Sequence, residues 1–180
     1  RVVVSTDDEE IADIARTFSA DVPFLRPKHF SEDDSPGIDT VIHALENLTN
    51  VEDILLMQPT SPLRRILDIN QIFKIRAKYK SDSAVSICRT GKNIDLFFKK
   101  NFDHTISPIS KNVKMLPRQQ YEDLFTLNGA LYLANREIIL KNKSFFSSKT
   151  IGYIMPQEFS IDIDTPLDWE IAEYLFTKSL

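Results

Sequence analysis

The residues with the clearest capacity for chemistry are two aspartates, Asp162 and Asp164, in the segment SIDIDTPLD (160–168). In an extended chain, side chains two residues apart share a face. Two carboxylates on one face suit a hard divalent cation such as magnesium, which is commonly shared with substrate phosphates. A D-x-D pair on its own also serves as a turn. Here Thr165-Pro166 follows directly and sets the pair at a stiff loop-to-helix junction. A second cluster is MQPTSPLR (57–64). Gln58 leaves an apolar run, and its amide can donate and accept at once, so it could read a base edge or sugar hydroxyls. Arg64 closes the cluster and could meet an anion or remain a surface charge. Arg26, in the triplet Leu25-Arg26-Pro27, is available to phosphate. Arg118, in PRQQ, can grip a carboxylate with two parallel N–H groups. Asn128 before Gly129 is either a turn or a polar contact.

Composition narrows the chemistry further. The chain has 180 residues and a formal net charge of -4, which disfavours a broad nucleic-acid surface. Its four glycines are too far apart for a glycine-rich phosphate loop. A single cysteine, Cys88, excludes an internal disulfide and a cysteine-based zinc site, and it reads as an inert core thiol. The three histidines lack ligand spacing, and His43 has no assigned role. No apolar stretch reaches the length of a membrane span.

These residues need elements to hold them. Residues 1–5 (RVVVS) read as a buried strand. Thr6 then caps a helix with Glu9 as its box partner, and Ile11, Ile14, Ala15 and Phe18 form its buried face. A long Pro- and Asp-rich loop (22–37) precedes a second helix with Ile38, Val41, Ile42, Leu45 and Leu48 on one face. Residues 53–57 are a continuous apolar run suited to a parallel sheet. Ser61 caps the next helix with Pro62 at its first position, and Leu67, Ile72, Phe73 and Tyr79 form its apolar side. Strands are expected at 83–88, 129–134 and 150–155, and a short helix at 135–142. A last helix is capped by Thr165, with Leu167, Ile171, Tyr174 and Leu175 on one face. Residues 89–126 have no clean period and read as an insertion. The alternation predicts one α/β domain over 1–180, a three-layer sandwich with a mostly parallel sheet. Ligands then sit beyond the carboxyl ends of the strands.

Taken in order, VVVSTDDEEIA, LRP, QPTSPLR, PRQQ, NGALYL and SIDIDTPLDWEIAE resemble the N-acylneuraminate cytidylyltransferase family and its relatives for bacterial nonulosonic acids. The resemblance runs to about Tyr174 and is weakest over 89–116. It implies a Rossmann-like fold of the nucleotide-diphospho-sugar transferase type, with residues 89–126 as a dimerisation insertion. It also implies a cytoplasmic homodimer that binds CTP and a nine-carbon 2-keto sugar acid. The implied reaction transfers CMP to the anomeric hydroxyl and releases pyrophosphate.

By the same resemblance Asp162 and Asp164 are the catalytic, magnesium-binding aspartates. Arg26, Asp33, Ser35 and Gln58 face the nucleotide. Gln58, Arg118 and Asn128 face the sugar acid, and Asp164 is one option for taking the hydroxyl proton. The family begins with a strand and a basic loop, A-R-x-x-S-K-G-x-x-x-K-N, that this sequence lacks ahead of Arg1. The chain therefore reads as a fragment, inactive alone, with an exposed apolar flank at Val2, Val3 and Val4. Two departures broaden the implied substrate: Thr126 replaces a frequent arginine, and RTGKNIDLFF replaces a His-Pro pair. Legionaminic and pseudaminic acids stand beside sialic acid. A Kdo cytidylyltransferase and a non-catalytic dimerising remnant are the alternatives.

Overall fold

The computed structural model describes the chain apart from residues 33, 112, 114–117 and 180 and the side chains of Arg118 and Ser179. The described elements are α-helices α1 (Glu9–Thr17), α2 (Gly37–Asn47), α3 (Ile66–Lys78), α4 (Arg136–Asn142) and α5 (Pro166–Ser179). The strands are β1 (Asp53–Leu56), β2 (Ser83–Arg89), β3 (Phe98–Lys100), β4 (Ile106–Pro108), β5 (Phe125–Asn135) and β6 (Ile151–Ile154). The protein is α/β, as the alternation predicts. Four strands hydrogen-bond in the order β1-β5-β2-β6. The sheet is mixed because β5 is the reversed strand. It runs antiparallel to β1, with Asp53 opposite Asn135 and Leu56 opposite Tyr132. It also runs antiparallel to β2, where Asn135 N–H donates to Asp82 O at one end and Thr90 N–H to Leu124 O at the other. β1 and β2 therefore share a direction, as the expectation for residues 53–57 requires, and the departure is β5, whose apolar run signals burial but carries no information on direction.

The chain divides into two compact units. One comprises Arg1–Met57, Asn70–Val85 and Leu131–Ile151, the other Gln58–Ile69, Ser86–Ala130 and Gly152–Leu180. In the first unit Val41 and Leu45 of α2 meet Ile139 of α4, Ala134 of β5 and Phe145, with Ile38, Ile42, Ile54 and Tyr132 packed against them. The α2 face thus matches its period at Ile38, Val41, Ile42 and Leu45, while Leu48 lies past the helix end in extended conformation. Asn135 caps α4 by accepting from the Ile138 amide at 2.8 Å. Arg136 donates to the Leu45 carbonyl at 2.8 Å, which satisfies an end group of α2.

Two expectations in this unit are corrected. Residues 1–5 do not form a laddered strand. Val3 makes a single parallel bridge to Asp21, flanked by Val4 N–H to Asp21 O and Asp21 N–H to Val2 O, both 2.9 Å, and Val2 is 56% exposed. Helix α1 is capped by Asp8, which accepts from Ile11 N–H at 3.0 Å, while Thr6 accepts from the Asp8 amide. Ala12 is buried on it, yet Ile11, Ile14 and Phe18 are exposed. Periodicity shows that a helix has an apolar face; it does not show that anything covers that face.

In the second unit β3 and β4 form an antiparallel hairpin, with Phe98 opposite Pro108. Phe98, Phe102, Ile106 and Ile109 on and around it are exposed. Helix α5 starts as expected: Thr165 N–H and Oγ1 donate to Asp168 at 2.8 and 2.7 Å, and the Asp168 amide donates back to Thr165. That reciprocal box holds the Asp168 carboxyl below the usual range, chiefly through the Thr165 hydroxyl and amide. Of the expected α5 face, Leu167, Ile171 and Tyr174 are exposed and Leu175 is half-buried, and the buried residue is Ala172, which is not among the four.

Helix α3 departs from the expectation at its start. It begins at Ile66, and its cap is not Ser61 but the Asp68 carboxylate, which accepts from the Arg65 amide at 3.0 Å. Asp68 is fully buried and takes three further bonds. The Arg65 guanidinium donates to both its oxygens at 2.9 and 3.0 Å, and the Tyr153 hydroxyl donates at 2.8 Å. The same guanidinium stacks 3.8 Å above the Phe159 ring. Burial pushes the Asp68 carboxyl up, but Arg65 and Tyr153 outweigh it and hold the group below its usual value. This network pins both Tyr153 and Phe159, and thereby the stretch that leads into Ser160, Asp162 and Asp164.

Burial, and then the bond to Asp68, push the Tyr153 phenol from 10 up to about 12. A raised folded value stabilises below the unfolded pKa and fades as pH rises through the folded one. The stability gap between the wild type and Tyr153→Phe, read from urea midpoints, should be constant from pH 7 to 10 and close between 10 and 12. A gap independent of pH would contradict the assignment.

Candidate active site

Gln58 follows β1 and opens the loop that contains Ser61. The Gln58 carbonyl is held twice, by the Ser61 amide at 3.2 Å and by the Arg64 guanidinium. Burial lowers the Arg64 pKa, and its Nε is buried without a partner among the described residues. Arg64 is thus a strut for the loop rather than a free surface charge. Thr60 O accepts from the Ile163 amide at 2.8 Å, which stitches the loop to the segment carrying both aspartates.

Asn128 sits at the centre. It is 4% exposed, and every part of its amide is engaged. Its Oδ1 accepts from the Ser86 hydroxyl at 2.6 Å and from the Ala130 amide at 3.3 Å. Its Nδ2 donates to Ser160 Oγ at 2.9 Å and reaches Met155 Sδ at 3.4 Å. Ser160 Oγ in turn donates to the Pro156 carbonyl at 2.8 Å. The amide therefore joins β2, β5 and the segment after β6. A buried amide satisfied at both ends is rigid.

Gly129, next in the chain, has φ +72°, in the left-handed region where a side chain is strained. A Cβ there would lie 2.8 Å from Gln58 Oε1, 3.0 Å from Asp162 Oδ2 and 3.0 Å from Ser61 Oγ. The missing side chain lets three polar atoms converge on one patch of backbone. Ser61 is fully buried, and its hydroxyl faces the Asn128 carbonyl at 3.1 Å and Asp162 Oδ1 at 3.4 Å.

The structure thus brings Gln58, Asp162 and the Asn128-Gly129 peptide together. Asp162 is half-buried, and Asp164, two residues on, is exposed. The Asp164 amide donates to Asp168 at 3.3 Å, which ties its backbone to the start of α5. Carboxylate oxygens are hard donors that suit magnesium. Among the described residues no group of three or more His, Cys, Asp or Glu could hold a metal ion. A pair of carboxylates completed by substrate phosphates is the usual magnesium arrangement, and these residues fit it.

Arg26 and Ser35 lie in the first unit. Arg26 Nε donates to Ser31 Oγ at 2.8 Å, and its Nη2 pairs with Asp7 at 3.4 Å. Ser35 Oγ donates to the His29 carbonyl at 2.7 Å, closing the loop on itself. Asp33 and the Arg118 side chain lie outside the described residues; the Arg118 backbone forms a single 3-10 turn through Gln120. Cys88 is partly buried, and burial pushes its thiol up, consistent with an unreactive group. Sequence reasoning missed Ser61, Ser86, Ser160 and Gly129 as site builders. Ser61, Gly129 and Ser160 each lay inside a motif, QPTSPLR, NGALYL and SIDIDTPLD, but Ser-Pro reads as a helix cap and Asn-Gly as a turn, and Ser86 carried no signal beyond its strand.

A sequence model of the family described as "Cytidylyltransferase" matches residues 1–177. The chain belongs to the cytidylyltransferase family. It is 35% identical over 185 residues to the CMP-N,N'-diacetyllegionaminic acid synthase of Legionella pneumophila, covering 97% of this chain and 77% of that one. It is 31% identical over 175 residues to the N-acylneuraminate cytidylyltransferase of Escherichia coli, covering 96% of this chain. It spans 41% of that longer relative. The fold is similar to that of a CMP:2-keto-3-deoxy-manno-octonic acid synthetase complexed with CTP. That likeness has a TM-score of 0.68 at 15% identity and covers all of this chain and 82% of the other. The cytidylyltransferase is thus a nucleotidyltransferase, as its motifs predict.

Gly129→Ala tests the convergence directly. The strained φ and the forced retreat of Gln58 or Asp162 should cost about 1–3 kcal/mol in urea unfolding. An unchanged midpoint would show that the three atoms are not held against this backbone.

Proposed function

We propose that this cytidylyltransferase transfers CMP from CTP to the anomeric hydroxyl of a nine-carbon 2-keto sugar acid of the sialic or legionaminic type. The hydroxyl oxygen bonds to the α-phosphorus, the bond from that phosphorus to the bridging oxygen breaks, and pyrophosphate leaves. The observation that carries this reading is the convergence of Gln58, Ser61 and Asp162 on Gly129. It joins three of the segments that resemble the family, QPTSPLR, NGALYL and SIDIDT. The names of the Legionella and Escherichia coli relatives supply the sugar class.

Asp162 and Asp164 would hold magnesium, which neutralises triphosphate charge when bound. The chain's own residues do the rest by placement. The Gln58 amide, its backbone pinned by Arg64, is free to donate and accept toward base or sugar hydroxyls. Arg26, braced by Ser31 and Asp7, presents its remaining N–H groups to phosphate oxygens. Arg118 and Asp33 keep their proposed roles toward sugar carboxylate and nucleotide. Asn128 supports the sugar site from beneath, since its amide is already committed to Ser86 and Ser160. Assembly as a homodimer through residues 89–126 belongs to the same proposal.

Pyrophosphate release by the full-length protein with CTP, magnesium and a panel of eight- and nine-carbon sugar acids tests the reading. Turnover with a nine-carbon acid is expected. Turnover with Kdo alone, or with none, would overturn it. Asp164→Asn should lower kcat by about a hundredfold or more. Its melting temperature should hold, because Asp164 is exposed. A large stability loss would assign Asp164 a structural role instead.

A further inference from the structure

We propose that Ser61 is a positioning residue for Asp162, orienting the carboxylate so that one oxygen is tied to protein and the other is presented to a divalent cation. This rests on the reading of Asp162 as a cation ligand. The Ser61 hydroxyl carries one proton, is wholly shielded from water, and has two acceptors in reach. These are the Asn128 carbonyl at 3.1 Å and Asp162 Oδ1 at 3.4 Å. The Asn128 carbonyl cannot swing away, because its own side chain is clamped by Ser86 and Ser160. Ser61 is itself held through its amide to Gln58 O. The hydroxyl is therefore a fixed pivot between an immobile peptide and a carboxylate that can rotate about its last side-chain bond.

The two Asp162 oxygens have different surroundings. Oδ1 faces Ser61, whereas Oδ2 faces the bare backbone of Gly129, on the side where Gln58 Oε1 also converges. The third oxygen there, Ser61 Oγ, has its single proton within reach of Asn128 O and Asp162 Oδ1, so Asp162 Oδ2 and Gln58 Oε1 are left as acceptors, which suits a cation or a donor from outside. A hydroxyl that orders one oxygen leaves the other aimed without reorganisation when charge arrives. Such supporting contacts to ligating groups typically carry 10–100-fold of metal affinity. Ser61 is also free of the duty its sequence suggests, since α3 starts at Ile66 on the Asp68 cap.

The test is titration of the protein with manganous chloride, with free Mn2+ read by electron paramagnetic resonance, on wild type, Ser61→Ala, Ser61→Cys and Asp162→Asn. Ser61→Ala should weaken Mn2+ binding about tenfold or more. Ser61→Cys, with its weaker donor, should fall between Ser61→Ala and wild type. In turnover, the magnesium concentration for half-maximal rate should rise by a similar factor while kcat at saturating magnesium changes less. Asp162→Asn weakened with both Ser61 variants within twofold of wild type would overturn the proposal and leave the cation reading standing. Asp162→Asn binding Mn2+ as wild type would remove Asp162 as a ligand, and the proposal with it. Should Ser61→Ala fail to fold, Ser61→Cys alone reads the same quantity.

Discussion

A primary amide cannot be buried cheaply. Each unpaired donor or acceptor left in the interior costs about 1–3 kcal/mol, so Asn128 imposes its hydrogen-bond requirement on everything around it. Ser86 must offer a proton, Ser160 must accept one, and Met155 must lie close enough for a weak third contact. Meeting those demands fixes where β5 sits against β2 and where the chain runs after β6. Only then does Gly129 present its bare backbone to Gln58, Ser61 and Asp162. The polar convergence follows from satisfying one amide.

A second buried group does similar work further along the same stretch. Asp68 takes bonds from the Arg65 amide and guanidinium and from the Tyr153 hydroxyl. Arg65 also covers Phe159. The stretch from β6 to α5 is therefore tied at Tyr153 within the strand, then at Phe159, at Ser160 and at Ile163, and is locked by the Thr165–Asp168 box. Short polar contacts replace the apolar packing that a longer element would use. The arrangement suits an electrostatic site, where groups must already be in place when a charged substrate arrives.

What could be read from sequence divides along physical lines. The Thr165-Pro166 junction that follows Asp162 and Asp164 was legible because helix capping is a local rule. The faces of α2 and the approximate strands 83–88 and 150–155 were legible for the same reason. Gln58 was singled out from its place after an apolar run, and the structure puts it there. Ser61 was misread because Ser-Pro is a local cap signal, and only contacts 67 and 101 residues away give it another task. Asn128 was open between a turn and a contact, and burial shows a buried structural amide. The direction of β5 and the uncovered faces of α1 and α5 depend on what lies alongside, which no periodic pattern carries. The cytidylyltransferase resemblance was accessible because it rests on ordered short motifs, even where single residues were ambiguous.

The central claim is that the Asn128 amide is a preformed, water-excluded clamp. Nitrogen-edited NMR of its side-chain NH2 in the unliganded protein reads this directly. The account predicts Nδ2 protons that exchange with solvent far more slowly than those of exposed asparagines, and that exchange faster in Ser160→Ala. Rapid exchange in the wild type, indistinguishable from that of a surface amide, would contradict it.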